Sequence, residues 1–249
     1  MSLNQNIAAV IMAAGKGTRM KADLVKVLHP VADKPMVFHS INNLSKVISS
    51  KNIYVVISYQ GDLVKKQIEE QFNLNFVYQQ TPLGTADAVK CALEEIKGSP
   101  DAILVVGADD SVFYSKQTLT KFISSHLKHK PSITMMTLIK KEDNTVAKIF
   151  RDKDGNFLEI VENFRYINSG KKSNEIGCGA YVFDFAWTKE NIGKVSLSEN
   201  GEYLLTDLLE IARQNRDKIS LYKLDNPAEW VGINTPEELK IANLLMKQK

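Results

Sequence analysis

The chain has 249 residues, 44% of them hydrophobic, and a formal net charge of +3. This length suits one large α/β domain or two small ones, and the small charge argues against nucleic acid as a partner. Two cysteines, Cys91 and Cys178, do not make a disulfide framework and fit a reducing compartment. No apolar run reaches the roughly 18 residues that span a bilayer, and the first five residues lack the features of a signal peptide. We therefore expect a cytoplasmic protein without a membrane anchor.

The first half of the chain alternates strand-like and helix-like patterns. Apolar runs predict strands over residues 7–12, 53–58, 75–79 and 102–107. The patterns between them predict helices over residues 35–49, 63–72 and 85–96. This alternation is typical of βαβ units, so we predict a Rossmann-like α/β fold with a mixed, mainly parallel sheet flanked by helices. Such sheets bind their ligands beyond the carboxyl ends of the strands.

The second half begins with a predicted hairpin. Strand-like patterns cover residues 132–140, 146–151 and 157–161, with a turn at residues 152–155. Further along the chain we predict a strand over 179–185, a helix over 204–214, a strand near 221–224 and a helix over 236–245. Thr235 is the expected cap of the last helix, with Pro236 in its first turn. Because no linker interrupts this series, we predict a single domain over residues 1–249.

A glycine-rich, basic segment follows the first predicted strand directly. It comprises Ala13, Ala14, Gly15, Lys16 and Gly17, with Thr18, Arg19 and Met20 after them. Glycines let the backbone approach a ligand closely, and successive N–H groups in such a loop can point at one anion. Lys16, Arg19 and Lys26 add positive charge nearby. The segment therefore predicts a polyphosphate site, with an ordinary βα turn carrying exposed basic residues as the alternative.

The spacing of these glycines excludes two common phosphate-binding motifs. A P-loop requires G-x-x-x-x-G-K-[ST], and a dinucleotide-binding fold requires G-x-G-x-x-G. The run from Gly15 to Arg19 fits neither motif, since no third glycine lies at the required offset. An NAD-dependent enzyme is therefore disfavoured.

The stretch from Ala13 to Met36 resembles the N-terminal signature of sugar-nucleotide pyrophosphorylases, a family of nucleotidyltransferases. It is most similar to the uridyltransferase domain that makes UDP-N-acetylglucosamine from UTP and N-acetylglucosamine 1-phosphate. The likeness extends from Ile7 to about Leu239. It implies that a sugar 1-phosphate oxygen attacks the α-phosphorus of a nucleoside triphosphate while pyrophosphate leaves in line. It also implies a nucleotide-binding part over about residues 1–115 and a sugar-side part, with the hairpin, over about residues 116–249.

The resemblance implies a Mg²⁺ ion and its ligands. Asp109 takes the position of the family's metal-binding Asp at the end of a strand, and Asp110 shares or replaces it. Asn234 matches the second ligand, although an Asn before a helix is also a common cap. One carboxylate together with substrate phosphates suffices for Mg²⁺, which keeps several waters. Arg19 and Lys26 are the implied catalytic cations, since Arg suits bidentate phosphate contacts and Lys acts as a point charge.

The same resemblance implies the substrate contacts. On the nucleotide side they are the loop residues from Ala13 to Gly17, Gln79, Gly84 and Thr85. A Gln amide pairs with a uracil edge, although Gln79 taken alone is expected on the surface. On the sugar side they are Glu162, Gly177, Tyr203 and Thr206. The alternative places Tyr203 in the core and Thr206 at the cap of the following helix.

Several positions depart from the family pattern, mostly on the sugar side. Gly177 stands where the family has an Asn that contacts the sugar, and residues 146–148 replace a Tyr-Gly-Arg segment. Gly107, Val25 and Pro82 replace a Tyr, a Pro and a Gln. These departures keep open another substrate pair, such as dTTP with glucose 1-phosphate or CTP with an alcohol phosphate. They also keep open a non-catalytic regulatory subunit that binds nucleotide sugars. Hexapeptide repeats are absent from the sequence, so we expect no acetyl transfer from this chain.

Overall fold

A computed structural model describes residues 6–141, 145–167 and 170–248. The strands in these residues are β1 (Ile7–Met12), β2 (Pro30–Val31), β3 (Lys34–Pro35), β4 (Ile53–Ile57), β5 (Asn75–Tyr78), β6 (Ala102–Gly107), β7 (Ile133–Ile139), β8 (Lys148–Arg151), β9 (Phe157–Val161), β10 (Glu175–Asp184) and β11 (Ile219–Lys223). The helices are α1 (Met36–Ser45), α2 (Gly61–Glu69), α3 (Thr85–Glu95), α4 (Lys116–His129), α5 (Asn163–Tyr166), α6 (Phe185–Asn191), α7 (Asp207–Gln214) and α8 (Pro236–Met246). None of these described helices is long and apolar enough to cross a membrane.

One sheet organises these elements, in the strand order β11-β7-β10-β6-β1-β4-β5. β1 pairs in parallel with β4 and β6, β4 pairs in parallel with β5, and β11 pairs in parallel with β7. β10 runs antiparallel to both of its neighbours, β6 and β7. The sheet is therefore mixed and mainly parallel, and the predicted α/β fold class is confirmed.

Helices cover both faces of the sheet because its central strands are apolar on both sides. In β1, Ile7, Ala9 and Ile11 pack into one layer, and Ala8 and Val10 pack into the other, as the alternation of side chains along a strand requires. α1, α2, α4 and α8 contribute to the first layer, and α3, α6 and α7 contribute to the second. Burial on both faces is typical of parallel sheets. Because β1 pairs in parallel with β6 and, through β4, with β5, the carboxyl ends of these strands lie at one edge of the sheet.

The predicted strands over residues 7–12, 102–107 and 157–161 match β1, β6 and β9 exactly in their ends. β10 is longer than the predicted strand over 179–185, because pairing with β7 begins at Glu175. It ends at Asp184, whose side chain accepts a hydrogen bond from the N–H of Trp187 and so starts α6. The helix predicted over 204–214 begins only at Asp207. The helices α4, α5 and α6 and the short strands β2 and β3 have no counterpart among the predictions.

β8 and β9 form the predicted hairpin, which joins the main sheet through β10. Its turn is closed by Asp152, whose carboxylate accepts hydrogen bonds from the N–H groups of Asp154 and Asn156 at 2.9 and 2.8 Å. Opposite β7, the register of β10 is irregular between Gly177 and Tyr181. This irregular stretch and the chain segment that leads into β8 border one cavity.

Candidate active site

Two adjoining cavities open at the carboxyl ends of the parallel strands. One, with a volume of about 620 Å³, is bounded by the glycine-rich loop, and we call it the loop cavity. The other, with a volume of about 540 Å³, is bounded by β10 and the approach to the hairpin, and we call it the hairpin cavity. Met12, Arg19, Thr85, Asp110 and Glu202 line both cavities. Ligands in the two cavities would therefore meet across these shared residues.

The glycine-rich loop is positioned by β1 and by Lys26. Ala13 continues β1 and donates its N–H to the carbonyl of Val56 at 2.9 Å. Gly17 has a φ of 65°, and a Cβ added there would lie 2.4 Å from Cβ of Lys26, so the loop can approach Lys26 only with a glycine. A Cβ at Gly15 would meet nothing within 4 Å. The predicted loop residues all line the loop cavity: Ala13, Ala14, Gly15, Lys16 and Gly17.

Four charged or polar side chains come together in the loop cavity, and one of them, Arg19, also lines the hairpin cavity. Lys26 Nζ donates to Asp109 Oδ2 at 2.6 Å and to Asn234 Oδ1 at 3.1 Å. Arg19 Nη2 donates to the same oxygen of Asn234 at 2.9 Å, across 215 positions of sequence. The side chains of Lys26 and Asp109 are each 14% exposed, so solvent screens this ion pair less than it screens a surface pair. The fold thus gathers the predicted catalytic and metal-binding residues.

Asn234 is oriented by the N-terminus of α8. The hydroxyl of Thr235 accepts a hydrogen bond from the N–H of Glu238 at 3.2 Å. The carboxylate of Glu238 in turn accepts from the backbone N–H groups of Asn234 and Thr235 at 2.8 and 2.9 Å. This arrangement is a capping box, and Thr235 is the cap as predicted. The side chain of Asn234 is therefore left to accept hydrogen bonds from Arg19 and Lys26.

The tandem carboxylates after β6 have different surroundings. They lie in a turn that is closed by a 3.2 Å hydrogen bond from the N–H of Asp110 to the carbonyl of Gly107. Asp109 accepts from Lys26, whereas Asp110 Oδ1 accepts from Trp230 Nε1 at 3.1 Å. Burial, together with the neighbouring Asp109, raises the pKa of Asp110 well above its usual range, against the opposing effect of Lys26. Asp109 therefore shares a cation with Asn234, and Asp110 lies beside this pair.

The oxygens of Asp109 and Asn234 suit a hard divalent cation that keeps much of its water. Both accept from one ammonium group, so they already surround a single position of positive charge. Mg²⁺ prefers oxygen ligands and is usually held by one or two carboxylates with substrate phosphates. Within the described ranges, no three His, Cys, Asp or Glu side chains come together as a metal-binding group. The Mg²⁺ site that the family resemblance implies stays a prediction, with Asp109 and Asn234 as its candidate ligands.

Gln79 is buried, contrary to the surface position expected for it alone. It is 3% exposed and lines the loop cavity. Its amide nitrogen donates to the carbonyl of Gly84 at 3.1 Å and to Asp87 Oδ2 at 2.7 Å. Because both partners are acceptors, the nitrogen must face them, and the amide oxygen remains as an acceptor. No donor in the described residues contacts that oxygen.

Gly84 and Thr85 join the loop cavity to the segment that follows Tyr203. Thr85 Oγ1 accepts from the N–H of Leu205 at 2.9 Å. Two backbone hydrogen bonds, at 2.8 and 2.9 Å, connect Tyr203 to the turn before α3 and to the first turn of that helix. Gly84 has a φ of 114°, and a Cβ added to it would lie 2.5 Å from the carbonyl oxygen of Tyr203. Tyr203 therefore acts through its backbone, and its side chain lines neither of the two cavities.

The other predicted sugar-side residues, Glu162, Gly177 and Thr206, line the hairpin cavity. The hydroxyl of Thr206 donates to Glu162 Oε1 at 2.6 Å and makes no capping hydrogen bond to α7, which differs from the alternative interpretation. Burial raises the pKa of Glu162, against the hydrogen bond from Thr206, which lowers it. The hydrogen bond from Thr206 thus orients the carboxyl group of Glu162 in the wall of the cavity.

Residues 8–249 match the family model described as nucleotidyl transferase. The chain belongs to the nucleotidyl transferase family. It is 33% identical over 242 residues to the bifunctional protein GlmU of Bacillus licheniformis, and 35% identical over 243 residues to that of Shouchella clausii. Each match covers 97% of this chain and 52% of the relative. The chain therefore spans about half the length of these curated relatives.

A solved structure supports the fold independently. The crystal structure of a "Putative Glucose-1-Phosphate Thymidylyltransferase" from Bacillus anthracis, in complex with a sucrose, matches with a TM-score of 0.79 and 20% identity. The match covers 98% of this chain and 96% of that protein. At this identity the likeness shows a shared fold, and it agrees with the mixed sheet described above.

Two side chains that the sequence does not single out hold the site residues in place. Trp230 binds Asp110 from the segment before α8, and Asp87 binds Gln79 from the first turn of α3. An acidic residue in a first helical turn is ordinarily explained by the helix dipole, so Asp87 carries no distinct signal. For Trp230, the available signal is its position four residues before Asn234.

Proposed function

We propose that this chain is a Mg²⁺-dependent nucleotidyltransferase that condenses UTP with N-acetylglucosamine 1-phosphate to UDP-N-acetylglucosamine and pyrophosphate. The observation that carries the proposal is the cluster of Arg19, Lys26, Asp109 and Asn234 in the loop cavity, where Arg19 also lines the hairpin cavity. The loop cavity would take the nucleoside triphosphate, and the hairpin cavity would take the sugar 1-phosphate. The attacking phosphate oxygen and the α-phosphorus would then meet at the cluster.

The residues of the chain position the reactants and stabilise charge. A bond forms between the acceptor phosphate oxygen and the α-phosphorus, and the bond to the bridging oxygen breaks with its electron pair leaving on pyrophosphate. Lys26 and Arg19 stabilise the negative charge on the phosphate oxygens during this exchange. The shared wall of the cavities holds both reactants in place, which lowers the entropic cost of their encounter. Asp109 and Asn234 would hold Mg²⁺, which supplies charge neutralisation on the phosphates when bound.

The amide of Gln79 supports a base that presents an N–H group. Its nitrogen is committed to Gly84 and Asp87, so its oxygen is the side of the amide that remains for a ligand. Uracil and thymine present N3–H on their pairing edge, whereas N3 of cytosine is an acceptor. The oxygen can accept N3–H of uracil or thymine, and it would also accept from the N4 amino group of cytosine, so the substrate panel must separate UTP and dTTP from CTP.

A second candidate is the transfer of a thymidylyl group from dTTP to glucose 1-phosphate. Gln79 accepts from thymine as well as from uracil, and Gly177 lacks the amide that the family pattern places near the sugar. The structural neighbour from Bacillus anthracis also carries the name of such an activity. Glu162 accepts hydrogen bonds from hydroxyl and amide groups alike, so it fits either sugar.

Pyrophosphate release tests these alternatives. UTP, dTTP, CTP, ATP and GTP are each combined with a panel of sugar 1-phosphates in the presence of Mg²⁺. We expect the fastest release with UTP and N-acetylglucosamine 1-phosphate. Release only with dTTP and glucose 1-phosphate would support the second candidate. Nucleotide binding without release for any pair would instead indicate a regulatory subunit.

Two isosteric or near-isosteric variants test the cluster. Asp109→Asn and Lys26→Met should each lower kcat by roughly 10²-fold or more, because each removes a charge that acts on the transition state. Asp101→Asn and Lys51→Met change exposed side chains away from the cavities and serve as matched controls. A wild-type rate in Asp109→Asn would refute the metal assignment. The urea midpoints of all four variants show whether the fold is intact.

A further inference from the structure

A neighbouring side chain, and not backbone conformation, explains why position 177 is a glycine. Its φ is not in the left-handed region, so other residues could adopt its conformation. A Cβ added to it would, however, lie 2.3 Å from Cε of Met135. Met135 is in β7, where it pairs with Tyr181 across the irregular stretch of β10. The methyl group of Met135 therefore occupies the place that a side chain at position 177 would take.

This contact forms part of the floor of the hairpin cavity. Met135, Ala147 and Gly177 line the cavity together, and we call these three residues the apolar floor. The N–H of Gly177 is already committed to the carbonyl of Ala147 at 3.2 Å. A thioether is a weak acceptor and carries no N–H or O–H. The side chains of the apolar floor therefore offer a ligand van der Waals contact and almost no hydrogen bonding.

Tyr181, which pairs with Met135, lines the cavity beside the apolar floor, and the cavity has other polar side chains as well. Glu162 and Thr206 are joined to each other, and Arg19 and Asp110 lie at the border with the loop cavity. A sugar hydroxyl pressed against the apolar floor would lose water without gaining a partner, which is unfavourable. A methyl group in the same place would gain contact with the polarizable thioether. Met135, seated over Gly177, is therefore an apolar contact point within a cavity whose lining is otherwise rich in polar side chains.

We propose that Met135, seated over Gly177, is a specificity-determining residue that selects acceptor sugar 1-phosphates whose substituent against the apolar floor ends in a methyl group. This inference rests on the proposed function, since it assigns the acceptor to the hairpin cavity. Two kinds of acceptor share this chemistry: 2-acetamido sugars and 6-deoxy sugars. Glucose 1-phosphate and glucosamine 1-phosphate lack the methyl group and serve as reference acceptors.

The test is the ratio of kcat/KM for each methyl-bearing acceptor to kcat/KM for glucose 1-phosphate. We expect the wild type to prefer N-acetylglucosamine 1-phosphate or 6-deoxyglucose 1-phosphate by about 10-fold or more, since a methyl group in an apolar pocket is worth roughly 10- to 200-fold. The acceptor with the higher ratio identifies the source of the methyl group. Met135→Leu keeps an apolar side chain of similar volume and should keep the ratio. Met135→Gln has a similar length but a polar end, and it should lower the ratio by about 10-fold.

Two further variants keep the inference open to refutation if Met135→Gln does not fold. Gly177→Ala displaces only the far end of a flexible side chain, and it should lower the ratio because it moves the methyl group of Met135 from the floor. Met135→Ala enlarges the floor and should shift the preference from the N-acetyl acceptor towards N-propionylglucosamine 1-phosphate. Circular dichroism and urea midpoints confirm that these proteins are folded.

The outcomes separate this inference from the proposed function. Equal ratios in the wild type, Met135→Leu and each folded floor variant would overturn the role of Met135. Wild-type turnover without preference for either methyl-bearing acceptor would overturn it as well and leave the proposed function intact. If no pair of substrates releases pyrophosphate, the proposed function fails, and the inference fails with it.

Discussion

The substitution Gly84→Ala tests the contact between the start of α3 and the backbone of Tyr203, which lies between the two cavities. Gly84 precedes α3 with φ of 114° and ψ of −179°, a combination that is essentially restricted to glycine. A Cβ at this position would lie 2.5 Å from the carbonyl oxygen and 2.7 Å from the nitrogen of Tyr203. Both neighbours are backbone atoms, so no side-chain rotation relieves the clash. The backbone hydrogen bonds between Tyr203 and the start of α3 would have to lengthen.

Two contributions determine how much Gly84→Ala should lower the free energy of unfolding. Placing an L-residue in this region of φ and ψ costs about 1–3 kcal/mol. Forcing a methyl group into a filled space costs about 1–3 kcal/mol more. The expected loss of about 2–6 kcal/mol is a large fraction of the ~5–15 kcal/mol that stabilises a typical domain. We also expect kcat/KM to fall, because Thr85, which lines both cavities and accepts from the N–H of Leu205, would be displaced.

Gly98→Ala provides the matched control. Gly98 also has a positive φ, of 79°, but a Cβ added to it would meet nothing within 4 Å. Its expected cost is only the backbone contribution of about 1–2 kcal/mol. Urea unfolding followed by circular dichroism gives both free energies, and pyrophosphate release gives the activity. Equal destabilisation by the two substitutions would show that the Tyr203 backbone is not packed against Gly84, and it would refute the reasoning.

Three other predictions concern stability and binding. The added Cβ of Gly15→Ala meets no neighbour within 4 Å, so the free energy of unfolding should change by less than about 0.5 kcal/mol. The KM for the nucleoside triphosphate should nevertheless rise several-fold. An unchanged KM would argue against close approach of phosphate to Gly15. Burial lowers the pKa of His126 to about 4. Below about pH 6.5, His126 therefore binds a proton in the unfolded chain but not in the folded chain. The contribution of His126 to the free energy of unfolding is fully present above about pH 6.5 and should fall by about 3 kcal/mol towards pH 4. This pH dependence should disappear in His126→Gln and persist in His129→Gln, which changes an exposed ring. Thr235→Ala removes the cap of α8 and should cost about 1 kcal/mol and lower kcat through Asn234, whereas Thr235→Ser should retain both; a calorimetric and kinetic comparison of the two variants decides this.

The elements that could be predicted from sequence are those whose pattern is local. β1 and β6 are continuous apolar runs that end at glycine-rich or acidic turns, and both ends were predicted to the residue. α4 also has a readable pattern, because Leu119, Phe122 and Ile123 are buried on one face and Ser115 caps its N-terminus. Composition alone does not predict this helix, because polar residues dominate the rest of that segment. Its burial face, and not its composition, contains the signal.

The start of β10 could not be predicted from local pattern. Gly177 and Gly179 lie in it, and glycines weaken a strand prediction. The strand nevertheless begins at Glu175, whose carboxylate accepts hydrogen bonds from Thr137 and Arg151 on neighbouring strands at 2.6 and 2.7 Å. Such partners are distant in sequence, and only the folded sheet brings them together. The same holds for the bond between Arg19 and Asn234, which the family resemblance implies but spacing alone does not.

The space around two glycines explains why the two sides of the site differ in how freely they can change. At Gly84, a side chain would collide with backbone atoms of Tyr203, so a substitution disturbs the joint between the cavities. At Gly177, a side chain would meet only the terminal methyl group of Met135, which can move without strain in the backbone. A substitution at Gly84 therefore displaces backbone atoms, whereas a substitution at Gly177 displaces only the end of a flexible side chain in the floor of the hairpin cavity. A chain built in this way can change its acceptor through residues such as Met135 and Gly177 while Lys26, Asp109 and Asn234 stay where they are. Gly177 and residues 146–148 depart from the family pattern on the sugar side, whereas Arg19, Lys26 and Asp109 keep it on the nucleotide side.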